Sequence, residues 1–152
     1  MDMQSPEKYL EEFFHTRIPV TREMGIQVVA YDGDSLTLGA PLEPNVNDKG
    51  TAFGGSLYSV LVLAGWGLLH LKLREKGISA DVMIHECDVT YSLPVRGGWE
   101  ALGRLADAGG YDGFLAGFRE RGRGKVRVEV RVMAGHRTAV RFSGSYAVIA
   151  TS

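Results

Sequence analysis

From Leu57 to Leu71 the sequence LYSVLVLAGWGLLHL carries no charged residue. Read as a helix, it places Leu57, Val60, Leu61, Leu63, Ala64, Trp66, Leu68 and Leu69 on nearly every face and leaves no stripe for solvent. The stretch falls short of the ~20 apolar residues needed to span a bilayer. It is therefore expected to be a buried core helix that something large must wrap, and no membrane partner is expected. Lys72, Arg74 and Lys76 follow at its negative end, and Gly77 supplies a left-handed cap. Its start falls at about Gly54 or Ser56.

The rest of the chain must supply the cover. Ser5 and Pro6 form an N-cap and N1 pair, and Tyr9, Leu10, Phe13 and Phe14 recur at helical spacing, so a first helix is expected to end before Pro19. The period then changes to two. Residues Ile26 to Tyr31 and Ser35 to Ala40 read as strands joined by Asp32-Gly33-Asp34, which is hairpin chemistry. A polar loop runs from Pro41 to Thr51. Beyond the helix, four further strands are expected at Asp81 to Tyr91, Gly98 to Ala106, Lys125 to Ala134 and Arg137 to Ala150. Phe114, Leu115 and Phe118 suggest a short helix between Gly110 and Gly124. This order describes an α+β domain in which a curved antiparallel sheet wraps a central helix. One sheet face leaves the other side of that helix, or a sheet edge, in need of a partner, and a dimer is the simplest answer.

Length and charge narrow the classes further. A chain of 152 residues suits a single domain, with residues 1–19 as the N-terminal helix and 20–150 as the core. The formal net charge of -1 provides no global attraction to nucleic acid or an anionic membrane. Cys87 is the single cysteine, so no intramolecular disulfide can form, and the cytoplasm is the expected compartment. His85, Glu86, Cys87 and Asp88 are adjacent on a strand and alternate in direction, so they do not make a metal site.

Two stretches carry a resemblance. The segment Asn47-Asp48-Lys49-Gly50-Thr51-Ala52-Phe53-Gly54-Gly55-Ser56-Leu57, and Thr90-Tyr91-Ser92-Leu93-Pro94-Val95-Arg96-Gly97 after the third strand, resemble the hotdog superfamily. More closely, the chain resembles its YiiD C-terminal-domain family of thioesterases, over about residues 20 to 150. That resemblance implies a homodimer, or a dimer of dimers, whose sheets join edge to edge. It also implies acyl-thioester sites at the subunit interface, substrates carried by coenzyme A or acyl carrier protein, and no metal or cofactor.

The first amides of a helix have no intrahelical acceptor and sit at the positive end of the helix dipole. Gly54 and Gly55 would let a thioester carbonyl approach those amides, although a Gly-Gly pair also serves as a plain tight turn. By resemblance, Asn47 stands where many relatives carry an Asn or Asp facing the thioester, yet a loop Asn also commonly holds its own turn. Asp48 is the nearest carboxylate and a candidate general base. Phe53 and Ser56 flank the amides, and Tyr58, Val62 and Trp66 are candidates to line the acyl slot. Arg123 belongs to a basic stretch, Arg119 to Arg131, that could bind coenzyme A phosphates or an acidic carrier protein, or could be a solvated hairpin edge. It lacks the interleaved aromatics that stack on nucleic-acid bases.

Two departures matter. Relatives commonly show His-Gly-Gly where this chain has Phe53-Gly54-Gly55, and often place a carboxylate in the first helical turns where Ser59, Val60, Leu61, Val62 and Leu63 stand. Hydrolysis of an acyl-thioester is the first reading. Decarboxylation of a malonyl thioester, which needs an oxyanion site and a dry pocket but no base, is the second, and a non-catalytic acyl-binding domain is the third.

Overall fold

The computed structural model describes residues 4–151, so residues 1–3 and 152 of the expected domain lie outside the described residues. Helix α1 (Pro6–Arg17) begins as its sequence dictates, with the Ser5 side chain accepting from the Lys8 amide at 3.2 Å and proline in the first turn. It ends before Pro19. A single helical turn, α2 (Val20–Met24), follows, too short to leave a periodic signal. Strands β1 (Gln27–Tyr31) and β2 (Ser35–Ala40) form the hairpin. There Gly33 takes a φ of 93°, and Asp32 Oδ1 accepts from the amides of Asp34 and Ser35 at 2.9 and 2.7 Å.

Helix α3 (Gly54–Glu75) is followed by β3 (Ala80–Tyr91) and β4 (Trp99–Leu105). Helix α4 (Tyr111–Arg121) then leads into β5 (Arg123–Ala134) and β6 (Arg137–Ala150). The strands make one six-stranded sheet in the order β1-β2-β4-β5-β6-β3, and every pairing is antiparallel. Along β5, Val128, Val130 and Val132 point to the helix and are fully buried, while Arg127, Glu129 and Arg131 face solvent. The two-residue period of the sequence decides which face is dry.

At 22 residues α3 is longer than its uncharged stretch, and by length and composition alone it could cross a membrane. In the fold it is the core helix, with ten of its residues buried. Two mid-helix glycines, each costing about 1 kcal/mol in helix propensity, let its neighbours approach. A Cβ at Gly65 would lie 2.2 Å from Tyr146 Oη, whose hydroxyl donates to the Val62 carbonyl at 2.6 Å. A Cβ at Gly67 would lie 2.8 Å from Leu36 and 3.0 Å from Leu10. The sheet thus covers one side of α3 and α1 covers much of the other, through the buried Leu10 and Phe14. Of the two surfaces expected to need a partner, the face opposite the sheet is thus met by the chain's own first helix, and the sheet edge is the other.

An aromatic column joins the two helices. The His70 ring stacks on Trp66 at 4.6 Å and on Tyr9 at 5.8 Å, and its Nε2 shares a hydrogen bond of 2.8 Å with the Tyr9 hydroxyl. Burial, and then the nearby Arg74 guanidinium, push the imidazole down to about 4.

Two predictions follow from this packing. Gly65→Ala drives a methyl group into the Tyr146 ring and should cost about 1–3 kcal/mol by overpacking, read as a lower melting temperature in calorimetry; an unchanged Tm contradicts the contact. His70 is neutral when folded and protonates near 6.5 when unfolded, so its contribution is complete above about pH 6.5 and is lost as pH falls toward 4. Wild-type Tm should therefore drop across that window more than that of His70→Phe; parallel pH profiles contradict this.

Candidate active site

The loop before α3 is held at several points. Asn45, only 2% exposed, donates from Nδ2 to the carbonyls of Met24 and Pro41 at 2.9 and 2.8 Å. The Asn45 carbonyl accepts from the Phe53 amide at 2.8 Å, and the Ala52 amide donates to the Val95 carbonyl at 2.8 Å. These bonds tie the helix start to β2, to α2 and to the segment after β3. Asn45 carries no sequence signal beyond its place in a polar loop, and only its burial reveals it as an organiser.

Helix α3 opens with Phe53 as its cap residue and no side-chain cap. Its first internal bond runs from the Leu57 amide to the Phe53 carbonyl at 3.0 Å. Among the described residues nothing accepts from the amides of Gly54, Gly55 or Ser56. Three donors at the positive end of a 22-residue helix are therefore unsatisfied among the described residues. Gly54 lines a cavity of about 330 Å³, together with Leu57, Tyr91, Leu93 and Val95. The Phe53 ring folds back over Gly55, where a Cβ would lie 2.6 Å from Cε2, so a side chain there would push this exposed ring aside.

The end of β3 completes the site. Tyr91 donates from its hydroxyl to the Gly54 carbonyl at 3.0 Å, pinning the first turn to the sheet. One turn along the helix, the Tyr58 hydroxyl lies 3.4 Å from Cys87 Sγ. The thiol hydrogen bond first, and then burial, hold the Tyr58 phenol above its ordinary value; burial first, and then Cys87, do the same for Tyr91. Both phenols stay protonated near neutral pH, so they are donors and not bases. Cys87 lies half-buried against the margin of the core. The strand alternation of residues 87, 89 and 91 and the TYSLP run are the signals that could have singled out Tyr91.

Other sequence candidates fall elsewhere. Asn47 closes its own turn: its Oδ1 accepts from the amides of Lys49 and Thr51 at 2.8 and 3.1 Å, and its Nδ2 donates to Thr51 Oγ1 at 2.9 Å and to the Ala52 carbonyl at 3.4 Å. Asp48 is 81% exposed and pairs with Lys49 at 3.1 Å, a contact of little energetic weight at such exposure. Val62 is half-buried and its carbonyl takes the Tyr146 hydroxyl. Ser56 stands third in the helix with its hydroxyl unengaged among the described residues, whereas Ser59 Oγ donates to the Gly55 carbonyl at 2.9 Å.

Trp66 is a correction to the acyl-slot expectation. Its indole is stacked between His70 and Phe13, and its Nε1 donates to the Val82 carbonyl at 2.7 Å. Twelve residues separate it from Gly54, about 18 Å of helix, so it braces α1 and does not border the cavity. Arg123 also stands apart. It pairs with Ile149 while Tyr91 pairs with Val140, nine steps along β6, or about 30 Å at the strand rise.

A family model described as "Putative thioesterase (yiiD_Cterm)" matches residues 7–150. Among solved structures, a protein of unknown function from Chlorobaculum tepidum TLS is similar at 35% identity with a TM-score of 0.89, covering 95% of this chain and 94% of that one. A "putative thioesterase" from Shewanella oneidensis is similar at 27% identity with a TM-score of 0.86, covering 95% and 97%. A thioesterase from Haemophilus influenzae shares the fold at 14% identity, with a TM-score of 0.74 and coverage of 98% and 93%. With a six-stranded antiparallel sheet around one long helix, and a family match across nearly its whole length, this chain has the hotdog fold and belongs to the YiiD C-terminal-domain family, the one described as "Putative thioesterase (yiiD_Cterm)".

Proposed function

We propose that this chain hydrolyses acyl thioesters carried by coenzyme A or acyl carrier protein, with the carbonyl oxygen received by the amides of Gly54, Gly55 and Ser56. The observation that carries the reading is that these donors have no acceptor among the described residues while Gly54 borders a cavity walled in part by Leu57, Leu93 and Val95. Water attacks the thioester carbonyl carbon, charge collects on its oxygen, and collapse expels the thiolate, which takes up the proton the water gave away. Losing one donor to such an oxyanion typically costs ~3 kcal/mol of transition-state stabilisation. In this reading Phe53 closes over the glycine side of the site, Tyr58 and Val62 flank the acyl group, and Asn47 acts by holding the loop in register. Asp48, the nearest carboxylate along the chain, is assigned the proton from water, a role that requires it to leave Lys49 and turn in from solvent toward the cavity.

One observation favours decarboxylation of a malonyl thioester as a second reading: among the described residues no carboxylate or imidazole lines the cavity. There the carbon–carbon bond to the leaving carbon dioxide breaks, its electron pair passes into an enolate whose oxygen sits on the same amides, and a proton from solvent or the Tyr91 phenol gives the acetyl thioester. No base is required.

A second copy of the chain belongs to the same proposal. Strand β3 is a 12-residue edge strand, and Met83, Ile84, Tyr91, Tyr58 and Phe53 are exposed along it and beside it. Long apolar edges of this kind are what pairing covers. Antiparallel pairing of β3 with its copy would lay the copy's Asp81 end beside Tyr91 and bring the copy's Arg123 to the site from two strands away. Equilibrium sedimentation should give twice the 16.6 kDa chain mass; a monomer at micromolar concentration contradicts edge pairing.

The two reactions separate in one assay of acetyl and malonyl thioesters with products identified by mass. Free thiol from both substrates, with at least a hundredfold loss in Asp48→Asn, is expected for base-assisted hydrolysis. Acetyl thioester formed from malonyl thioester, at a rate indifferent to Asp48→Asn, replaces the first reading with the second. Return of every thioester unchanged defeats both.

A further inference from the structure

We propose that Tyr91 and Ser59 are positioning residues of the oxyanion site, each strengthening one of its amide donors by hydrogen-bonding the opposite end of the same peptide unit. The proposal rests on the thioester reading above and deepens it. A peptide is one delocalised unit, so a hydrogen bond accepted at its oxygen draws charge from its nitrogen and leaves the N–H more positive. The Gly54 amide shares its peptide with the Phe53 oxygen, the Gly55 amide with the Gly54 oxygen, and the Ser56 amide with the Gly55 oxygen. All three oxygens are engaged. The Phe53 carbonyl accepts from the Leu57 amide at 3.0 Å, the Gly54 carbonyl from the Tyr91 hydroxyl at 3.0 Å, and the Gly55 carbonyl from Ser59 Oγ at 2.9 Å. Each free donor is thus the end of a chain of hydrogen bonds.

The direction of the two side-chain bonds is what sets them apart from ordinary helix support. At a helix start the orphan groups are the N–H donors, and a side chain that stabilises the end does so by accepting from them. Tyr91 and Ser59 do the reverse. They donate to carbonyls, and the amides of Gly55 and Ser56 on the far side of those peptides keep no acceptor among the described residues. The Ser59 bond has a local cause, since helical serines commonly bond back to the carbonyl four residues earlier. Tyr91 has none. It reaches the Gly54 carbonyl from the end of β3, 37 residues along the chain, with its side chain half exposed.

The two residues also differ in how they stand to the cavity. Tyr91 lines it with Gly54, whereas Ser59 is not among its lining residues, so Ser59 acts on the carbonyl oxygen of a substrate only through the peptide. A Cβ at Gly54 would lie 3.7 Å from the Tyr91 ring, a contact that Tyr91→Phe preserves while removing the hydroxyl. Loss of a whole oxyanion donor costs roughly 10²–10³ in kcat, and a polarising neighbour strengthens a hydrogen bond by about 10–30%. Taken as that share of the logarithm, one polarising bond is expected to carry about two- to eightfold in kcat.

The test compares wild type, Tyr91→Phe, Ser59→Ala and Ser59→Thr on whichever of acetyl- and malonyl-coenzyme A the wild type consumes, at a temperature where unfolding curves show every variant folded. Tyr91→Phe and Ser59→Ala should each lower kcat about two- to eightfold with KM unchanged. Ser59→Thr, whose hydroxyl reaches the same carbonyl, should keep the wild-type rate. A ring-fluorinated tyrosine placed at position 91 donates more strongly from the same point and should raise kcat. In the ligand-free ¹⁵N-labelled protein, the Gly55 amide proton should move upfield in Tyr91→Phe and the Ser56 amide proton in Ser59→Ala. Wild-type kcat in Tyr91→Phe and Ser59→Ala, a loss that Ser59→Thr shares or fluorination deepens, or amide protons that stay in place each overturns the proposal. A wild type that consumes neither thioester while both amide protons move as described overturns the activity and leaves the polarised amides standing.

Discussion

A helix with no polar face must be enclosed, and the enclosure of α3 decides the rest of this architecture. Its ten buried residues can leave water only if a sheet curves around one side and another element closes the other. The six antiparallel strands do the first and α1 does the second. Gly65 and Gly67 set how close the covers come, because side chains there would collide with Tyr146 on one element and with Leu10 on another. A helix fixed so firmly along its length also has a fixed end, and that end is where the chemistry is proposed.

The N-terminus of α3 is organised without a charge. Asn45 and Val95 hold the incoming backbone, Tyr91 holds the first carbonyl, and none of them takes the amides of Gly54, Gly55 and Ser56. The electrostatic resource there is a set of aligned peptide dipoles whose first residue, Gly54, borders a cavity lined by Leu57, Leu93 and Val95 together with Tyr91 and Ser92. The ionised groups lie further out: Asp48 and Lys49 pair with one another in solvent.

Much of this was legible in the sequence. The helix, both hairpin strands and the later strands follow from periodicity and turn residues, and the helix between Gly110 and Gly124 is present as α4. The free amides were legible too, because Phe53-Gly54-Gly55 offers no side chain suited to cap them. What was not legible depends on tertiary direction. Trp66 shares an apolar face with Tyr58 and Val62, and only the approach of α1 shows that its ring belongs to the Tyr9–His70 column. Arg123 is near Arg127 in the chain, and only the strand register places it about 30 Å from Tyr91. Tyr91 reaches the Gly54 carbonyl from the end of β3, 37 residues along the chain, a long-range contact with no local signature.

The central claim is that the backbone donors at Gly54, Gly55 and Ser56 receive the substrate's carbonyl oxygen. It is tested most directly by following the amide resonances of the ¹⁵N-labelled protein while a non-hydrolysable acyl-coenzyme A thioether ketone is added. The account predicts downfield proton shifts at these three residues that saturate together with binding. An analogue that binds while those three resonances stay where they were contradicts it.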